Sequence, residues 1–247
     1  MMHFIMPRKA RIDHAGRTHH VTARSFNDMV LFKDDADRAY YLFYLKWWIK
    51  KTGCICYAWV LMDTHVHLLL RTTEQPIWKV MKPLHCDYAH YYNRKYNRQG
   101  PLFSDCCKSI AIQDQYYLEY LVRYIHLNPI RAGVCKTMDQ LDRYRWSGHR
   151  SIMENDDGGF QEIRQVLQRF GNPVDAAREK YREFISRFRE PQLPVPTLSG
   201  EQDGSSRHRR ALLFSVPACR DIKQTTAAFQ CRSSRLWRSL SANRRCT

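Results

Sequence analysis

Short strand-like and longer helix-like patterns alternate along the first half of the chain. Residues 19–25 are rich in β-branched residues and alternate partly between polar and apolar, which is typical of a strand. A helical pattern follows, with Asp34 or Asp35 as its N-cap and Gly53 at a position where helix C-termini favour glycine. The same patterns predict strands at 54–62, 65–71 and about 107–112, and helices from Pro76 to about Tyr96 and from Asp114 to Asn128, before Pro129.

The predicted elements follow the order β-α-β-β-α-β and then a helix. Only Asp63 and Thr64 separate the second strand from the third, which favours a tight hairpin. This order is typical of ferredoxin-like α+β domains, in which helices cover one face of an antiparallel sheet. We therefore predict a ferredoxin-like antiparallel sheet with its helices on one face.

The character of the sequence changes after Trp146. Residues 156–159 have the composition of a loop, and 160–189 predict two short polar helices around Gly171-Asn172-Pro173. From Pro191 the chain is rich in Pro and Gly and has 10 Lys and Arg against 3 Asp and Glu. We predict a folded domain at 1–150, a helical extension at 151–190, and a basic tail at 191–247 in which 222–240 has a weak helical pattern.

Composition and charge narrow the classes of function. With 247 residues and 44% hydrophobic content, the chain can bury a core and is not a disordered protein. No apolar run approaches the roughly 18 residues of a membrane span, and charges near the start argue against a signal peptide. A net charge of +16 favours a polyanionic partner, nucleic acid before a membrane surface. We expect a cytoplasmic protein that is nucleoid-associated when bound to DNA.

The nine cysteines argue against a zinc ribbon, because they are odd in number and lack paired CxxC spacing. Two close pairs, Cys54/Cys56 and Cys106/Cys107, lie among apolar residues, as reduced and mostly buried thiols do. A zinc protein that uses Cys and His is a third candidate function, and it is disfavoured because the cysteines lack ligand spacing. Metal analysis of the purified protein would test it.

Two short motifs carry candidate chemistry. In His65-Val66-His67, residues i and i+2 of a strand share a face, so both imidazoles can reach one metal ion. Tyr124 and Asn128 lie one helical turn apart and can present a phenol and an amide together. Each motif has a plainer alternative. The two histidines could be ordinary half-buried residues of a strand face. Tyr124 could pack at the margin of the apolar stripe of its helix, and Asn128 could simply end that helix.

In combination with the basic ferredoxin-like frame, these motifs resemble the single-tyrosine HUH transposases, specifically the REP-associated tyrosine transposases. The resemblance covers roughly residues 6–150 and is carried by the segments Met6–Arg11, Leu61–Leu70, Arg123–Gly133 and Tyr144–Ser147. The chain departs from the family in having Asp63-Thr64 where Pro-Asn is usual, and Cys106-Cys107-Lys108 where Arg-Tyr-Lys is frequent.

The resemblance implies an enzyme that cleaves and rejoins DNA strands at hairpins formed by palindromic repeats. His65, His67 and Asn128 would hold one divalent cation, Mg²⁺ or Mn²⁺, and both imidazole rings would face this site instead of the core. Tyr124 would attack a phosphodiester and form a 5′-phosphotyrosine. The partner would be single-stranded or hairpin DNA, bound by a monomer or homodimer. The residues expected to contact DNA are Arg94, Lys95, Arg98, Lys108, Arg123 and Arg131.

Tyrosines interleaved with basic residues on the second helix could stack on bases of a single strand; they are Tyr88, Tyr91, Tyr92 and Tyr96. The alternative is a helix that covers the sheet and has a basic outer edge. The second candidate function is a domesticated relative that binds hairpin DNA or RNA without cutting it. A cleavage assay on a hairpin-bearing oligonucleotide with Mg²⁺ or Mn²⁺ separates this module from the transferase.

Overall fold

The structure is a computed structural model that describes residues 16–105, 107–112 and 118–187. Four of the sequence predictions lie outside these residues: the Met6–Arg11 segment, Cys106, the start of the third long helix at Asp114, and the basic tail at 191–247.

Four strands form one antiparallel sheet with the order β2-β3-β1-β4. The strands are β1 (Thr18–Arg24), β2 (Ile55–Leu61), β3 (His65–Arg71) and β4 (Lys108–Ile112). Helix α1 (Asp35–Thr52) connects β1 to β2, and helix α2 (Trp78–Lys95) connects β3 to β4. This is the ferredoxin-like α+β arrangement, so the predicted fold class is confirmed.

The ends of α1 lie where the sequence predicts them. The side chain of Asp34 accepts a hydrogen bond from the backbone N–H of Asp37 at 2.8 Å, which satisfies one of the unpaired amides of the first turn. Gly53 has a φ of 68°, the left-handed conformation that lets a helix end without a strained side chain. Between these caps, Leu45 and Ile49 are buried against the sheet.

The predicted tight hairpin connects β2 to β3. The backbone N–H of Met62 donates to the carbonyl of His65 at 2.9 Å, which closes a two-residue turn at Asp63 and Thr64. Arg38 of α1 donates to the Asp63 carboxylate at 2.6 Å. The start of β3, and with it the position of His65, is thereby tied to α1.

Helices cover both faces of the sheet, so the expectation of helices on one face is wrong. On β3, Val66, Leu68 and Leu70 belong to a hydrophobic cluster with α1 and α2, whereas Leu69 belongs to a second cluster on the opposite face. A strand with apolar side chains on both sides needs a covering layer on each face. The second layer is formed by helices that follow β4.

Six helices follow β4 within the described residues: α3 (Leu118–His126), α4 (Asn128–Arg131), α5 (Met138–Asp142), α6 (Gly148–Glu154), α7 (Ile163–Gln168) and α8 (Val174–Ser186). The two helices predicted for 160–189 are confirmed as α7 and α8. The third predicted helix ends before Pro129, as expected: α3 ends at His126, and Pro129 belongs to the separate short helix α4. Pro129 lies in the first turn of α4, where a missing N–H leaves no intrahelical acceptor unpaired.

Helices α6 and α7 pack on β2, and α8 packs on α6 and α7. Ile163, Val166 and Tyr181 share one hydrophobic cluster with Val60 of β2 and Ile125 of α3. Four of the five cysteines in the described residues, Cys54, Cys56, Cys107 and Cys135, are buried thiols and Cys86 is partly exposed, which agrees with the prediction of mostly buried thiols. In the part of the chain that the structure describes, none of the helices is long and apolar enough to cross a membrane. The domain division at residue 150 remains a prediction.

Candidate metal and nucleophile site

Strands β1 and β3 and helix α3 bring three histidines and a tyrosine together on one face of the sheet. The ring centroids of His65 and His67, two residues apart on β3, are 5.0 Å apart. The β1–β3 register sets Thr22 opposite His67, and it brings His20 Nε2 within 3.1 Å of His67 Nδ1. The ring centroid of Tyr124 lies 6.0 Å from that of His67 and 5.7 Å from that of His20.

Neighbouring polar groups orient both imidazoles of β3. His67 Nδ1 lies 3.2 Å from Thr22 Oγ1, and His65 Nδ1 lies 3.1 Å from Thr64 Oγ1. The hydrogen bonds that these two rings make with described residues therefore use Nδ1. An imidazole held at Nδ1 in this way presents Nε2 to a metal ion.

Burial keeps the three histidines in their neutral form. Desolvation lowers the pKa of His20 to about 4 and that of His67 to about 2, and it also lowers the pKa of His65. Neutral imidazole is the form that binds a metal ion. His67 is only 5% exposed because α3 covers this face of β3, so its ring is buried at the site.

Asn128 is held by the helix that carries Tyr124. Its Nδ2 donates to the carbonyl oxygens of Tyr124 at 2.8 Å and Ile125 at 3.1 Å. The amide nitrogen therefore faces the helix backbone, and Oδ1 is the atom left to act as a ligand. Tyr124 and Asn128 lie one turn apart, as predicted.

These donor atoms fit a divalent cation. Two imidazole nitrogens and an amide oxygen suit Mn²⁺ or Mg²⁺ when the remaining ligands are oxygens of water or substrate. Among the described residues, no group of three or more His, Cys, Asp and Glu side chains is arranged as a metal site. A site here would therefore depend on the asparagine. The ligand set of His65, His67 and Asn128 remains a prediction.

Two of the basic residues predicted to contact DNA lie at this site. The guanidinium carbon of Arg131 is 4.6 Å from the centroid of the Tyr124 ring. Lys108 of β4 lies opposite Thr22, so its exposed side chain is on the same sheet face as His67. Arg131 therefore contacts the tyrosine ring, and Lys108 shares the sheet face of the site; contact of either residue with DNA remains a prediction.

A third basic residue, Arg123, faces helix α8. Its guanidinium carbon lies 4.1 Å from the centroid of the Phe184 ring, and its Nη1 donates to the Phe184 carbonyl at 3.3 Å. Burial lowers the pKa of Arg123. These contacts give Arg123 a structural partner on the side of α3 that faces away from the histidines.

The structure does not bring Arg94, Lys95 and Arg98 together with Tyr124, because α2 covers the opposite face of the sheet. Lys95 Nζ lies 2.7 Å from both the Asp34 and the Asp37 carboxylates. Arg98 donates to the carbonyls of Gly100 and Pro101 and to Asn93 Oδ1. The role of these three residues in DNA binding remains a prediction.

The expectation that the α2 tyrosines stack on bases is wrong for Tyr88 and Tyr92. They are 0% and 2% exposed, and their hydroxyls donate to the Leu31 and Val30 carbonyls. Their spacing of four residues places both rings on the side of α2 that faces the sheet. This agrees with the alternative of a helix that covers the sheet.

His20 is the site residue that the sequence patterns missed. It lies in the predicted first strand. The sequence signal that could have identified it was an imidazole on a strand among β-branched residues. Its contact with His67 depends on the β1–β3 register, which joins residues 47 positions apart.

Comparison with known proteins matches the site-bearing part of the chain to one family. Residues 14–128 match the family model described as "Transposase IS200 like", which confirms the resemblance found in the sequence. No curated protein matched the chain. Among solved structures, the chain is similar to one described as "the REP associates tyrosine transposase bound to a REP hairpin". The two are 16% identical, the match covers 69% of this chain and 90% of that chain, and the TM-score is 0.47.

Proposed function

We propose, from the premise that residues 14–128 belong to the IS200-like transposases, that this protein is a metal-dependent DNA strand transferase. It would cleave and rejoin single-stranded or hairpin DNA through a 5′-phosphotyrosine. The proposal is supported above all by the placement of the Tyr124 phenol against His67 and His20 within one chain. DNA binding alone would not need a tyrosine beside paired histidines, whereas attack on phosphorus would.

The chemistry divides between a cation and the tyrosine. A divalent cation held by His65, His67 and Asn128 would polarise the scissile phosphate and fix its orientation. The Tyr124 oxygen loses its proton and forms a bond to phosphorus, while the bond to the 3′-oxygen breaks and that oxygen takes up a proton. The products are a 5′-phosphotyrosine and a free 3′-OH. Rejoining is the reverse attack by a 3′-OH, and it needs no nucleotide cofactor because the phosphotyrosine ester replaces the broken ester.

We assign the nearest phosphate contacts to Arg131 and Lys108. Arg131 lies over the Tyr124 ring, and Lys108 is exposed on the same sheet face. Cations in these positions would neutralise the phosphates that flank the scissile bond and hold the strand in register. The hairpin target, the monomeric or homodimeric state and the cytoplasmic, nucleoid-associated location remain predictions from the sequence.

The first prediction is that Tyr124→Phe keeps DNA binding but loses strand cleavage and the covalent protein–DNA adduct. Only the hydroxyl is removed, so the ring contacts with His20 and His67 are retained. Cleavage of a hairpin-bearing oligonucleotide is measured with Mg²⁺ or Mn²⁺, and peptide mapping of the trapped adduct identifies the nucleophile.

Tyr120→Phe is the matched control, because Tyr120 lies on the same helix but is 42% exposed and packs against Phe184. It should cleave like the wild-type protein. An adduct mapped to Tyr120, or cleavage by Tyr124→Phe at the wild-type rate, would contradict the assignment. A wild-type protein that binds the hairpin, forms no adduct and leaves the strand intact would favour the non-cleaving DNA- or RNA-binding module, which the net charge of +16 also fits.

A further inference from the structure

A buried chain of hydrogen bonds lies behind the helix that carries Tyr124. His126 Nδ1 is 2.7 Å from the hydroxyl oxygen of Tyr181, which is also 2.8 Å from His149 Nδ1. His149 Nε2 lies 2.8 Å from one oxygen of Asp142, and the other oxygen accepts a hydrogen bond from Arg182 at 2.8 Å. The side chains of His126, His149 and Tyr181 are completely buried.

The carboxylate of Asp142 sets the direction of each hydrogen bond in this chain. Because a carboxylate only accepts, His149 Nε2–H is the donor to Asp142. Burial lowers the pKa of His149, so the ring is neutral and its Nδ1 accepts from the Tyr181 hydroxyl. The Tyr181 oxygen is then the acceptor for His126 Nδ1–H. Every proton along the chain therefore has one position.

Tyr181 is the one hydrogen-bond partner of the His126 side chain among the residues that the structure describes, because no partner lies within reach of His126 Nε2. A buried imidazole with a single hydrogen bond loses more when that bond is broken than a group with several. The Tyr181 hydroxyl is therefore the polar contact that joins the C-terminal end of α3 to α8.

A second contact joins the same two helices one turn away. The Arg123 guanidinium stacks on the Phe184 ring at 4.1 Å and donates to the Phe184 carbonyl. Arg123 and His126 are three residues apart on α3, and Tyr181 and Phe184 are three residues apart on α8. Two such contacts restrict both the position and the rotation of α3. Tyr124 lies between them in sequence, with its ring on the side of the histidines.

We propose that α8 is a positioning element for the nucleophile, and that the Tyr181 hydroxyl is the group through which it acts. The inference rests on the proposed function of Tyr124. Helix α8 lies beyond residue 128, where the match to the family model ends. In-line attack requires the phenol to be held within a fraction of an ångström, and a rigid support on the far side of α3 supplies that restraint.

The test compares Tyr181→Phe with Tyr57→Phe. Both changes remove one hydroxyl from a buried ring in the same hydrophobic cluster, but the Tyr57 hydroxyl donates to Gln165 of α7 and makes no hydrogen bond to α3. Single-turnover cleavage at saturating DNA and the dissociation constant for DNA are measured for both variants. Tyr181→Phe should cleave between about tenfold and a hundredfold more slowly with an unchanged dissociation constant, and Tyr57→Phe should cleave at the wild-type rate.

Hydrogen exchange supplies a readout that does not depend on activity. In Tyr181→Phe, amides of α3 and α4 should exchange faster while those of α1 and α2 stay protected, and Tyr57→Phe should leave α3 unchanged. Wild-type cleavage and exchange by Tyr181→Phe, or equal effects of both variants, would overturn the proposal. If the wild-type protein does not cleave, the proposed function fails, and exchange alone decides whether Tyr181 holds α3. If Tyr181→Phe does not fold, Phe184→Leu tests the second contact by the same measurements.

Discussion

His65 and His67 share a strand face but have different surroundings. His65 is partly exposed beside Thr64, whereas His67 is 5% exposed between His20 and Tyr124. Removing the buried His67 side chain would leave a cavity and take away the hydrogen-bond partner of His20. A loss of metal binding in such a variant would not be separable from a loss of stability. His65 is therefore the better residue for testing the proposed metal site.

We predict that His65→Ala weakens the binding of Mn²⁺ by at least about tenfold. Removing a group that only orients a metal ligand already lowers metal affinity by about that factor, so removing a ligand should lower it at least as much. Stability should fall by no more than about 1 kcal/mol, because the ring is only partly buried. Calorimetric titration with Mn²⁺ measures the affinity, and urea unfolding without metal measures stability. His90→Ala, an exposed position on α2, is the control and should bind as the wild type does. Equal affinities of both variants would exclude His65 as a ligand.

Single-residue predictions succeeded where a local spacing decides the geometry. The shared face of His65 and His67 follows from the two-residue period of a strand, and the Tyr124–Asn128 spacing follows from one helical turn. His20 could not be identified in this way, because its contact with His67 depends on which strands pair. The charge of a residue likewise does not reveal on which face of the sheet its side chain lies. Lys95, which we expected to contact DNA, pairs with Asp34 and Asp37.

At the scale of elements, the N-terminus of α1 shows how a cap stabilises a helix and joins it to another. Asp34 accepts from the Asp37 amide and pairs with Lys95 of α2 at 2.7 Å. The hydrogen bond from Lys95 holds the pKa of the Asp34 carboxyl below its usual value of 3.8. The charged form of Asp34 therefore stabilises the folded protein above that pH.

We predict that Asp34→Ala lowers the free energy of unfolding by about 1 kcal/mol near neutral pH. Because the folded-state pKa is depressed, this difference from the wild type is fully present above pH 3.8 and shrinks as the pH falls through the lower, folded-state value. Urea unfolding across a pH series measures it. Asp34→Ser, which retains a capping oxygen but no charge, should recover the part of the loss that comes from the cap and not the part that depends on pH. A deficit that stays constant down to pH 3 would contradict a charged cap.

The elements themselves were predictable where their signals are local. The N-cap and Gly53 delimit α1, and the dipeptide Asp63-Thr64 gives the hairpin. Helices α4, α5 and α6 have 4, 5 and 7 residues and give little periodic signal, whereas α7, which has 6 residues, was indicated by the Gly171-Asn172-Pro173 break that follows it. They form because neighbouring elements provide a surface on which they pack, α3 for α4, α6 for α5 and β2 for α6, and this surface is not encoded in their own sequences.

At the scale of the whole molecule, net charge is divided unevenly along the chain. Residues 191–247 have 10 Lys and Arg against 3 Asp and Glu and contain none of the proposed catalytic residues. We predict that deleting this segment weakens DNA binding and gives a shallower slope of log K against log salt, because fewer counterions are released. Cleavage of DNA that is already bound should keep its rate. A binding isotherm series from low to moderate salt measures the slope, and an unchanged slope would show that the segment does not touch phosphates.

The order of the strands follows from the β-α-β-β-α-β pattern, whereas the two-sided covering of the sheet does not. Continuous apolar residues on β3 were the signal for a second layer, since Leu68, Leu69 and Leu70 cannot all face α1 and α2. The candidate site lies beneath that second layer. No single sequence motif predicts that the site lies at a covered face or that Tyr124 lies on one of the covering helices.

The position of α8 late in the described chain also determines when, during synthesis, Tyr124 can be held in place. During synthesis His20, His65 and His67 leave the ribosome first, Tyr124 follows more than fifty residues later, and Tyr181 comes after another such interval. A nascent polypeptide that has reached only Asn128 contains every proposed catalytic group and lacks the Tyr181 hydroxyl that binds His126. A strand-cutting protein built in this order would acquire an aligned nucleophile only after α8 has been synthesised, so that products that stop before Tyr181 would be poor nucleases.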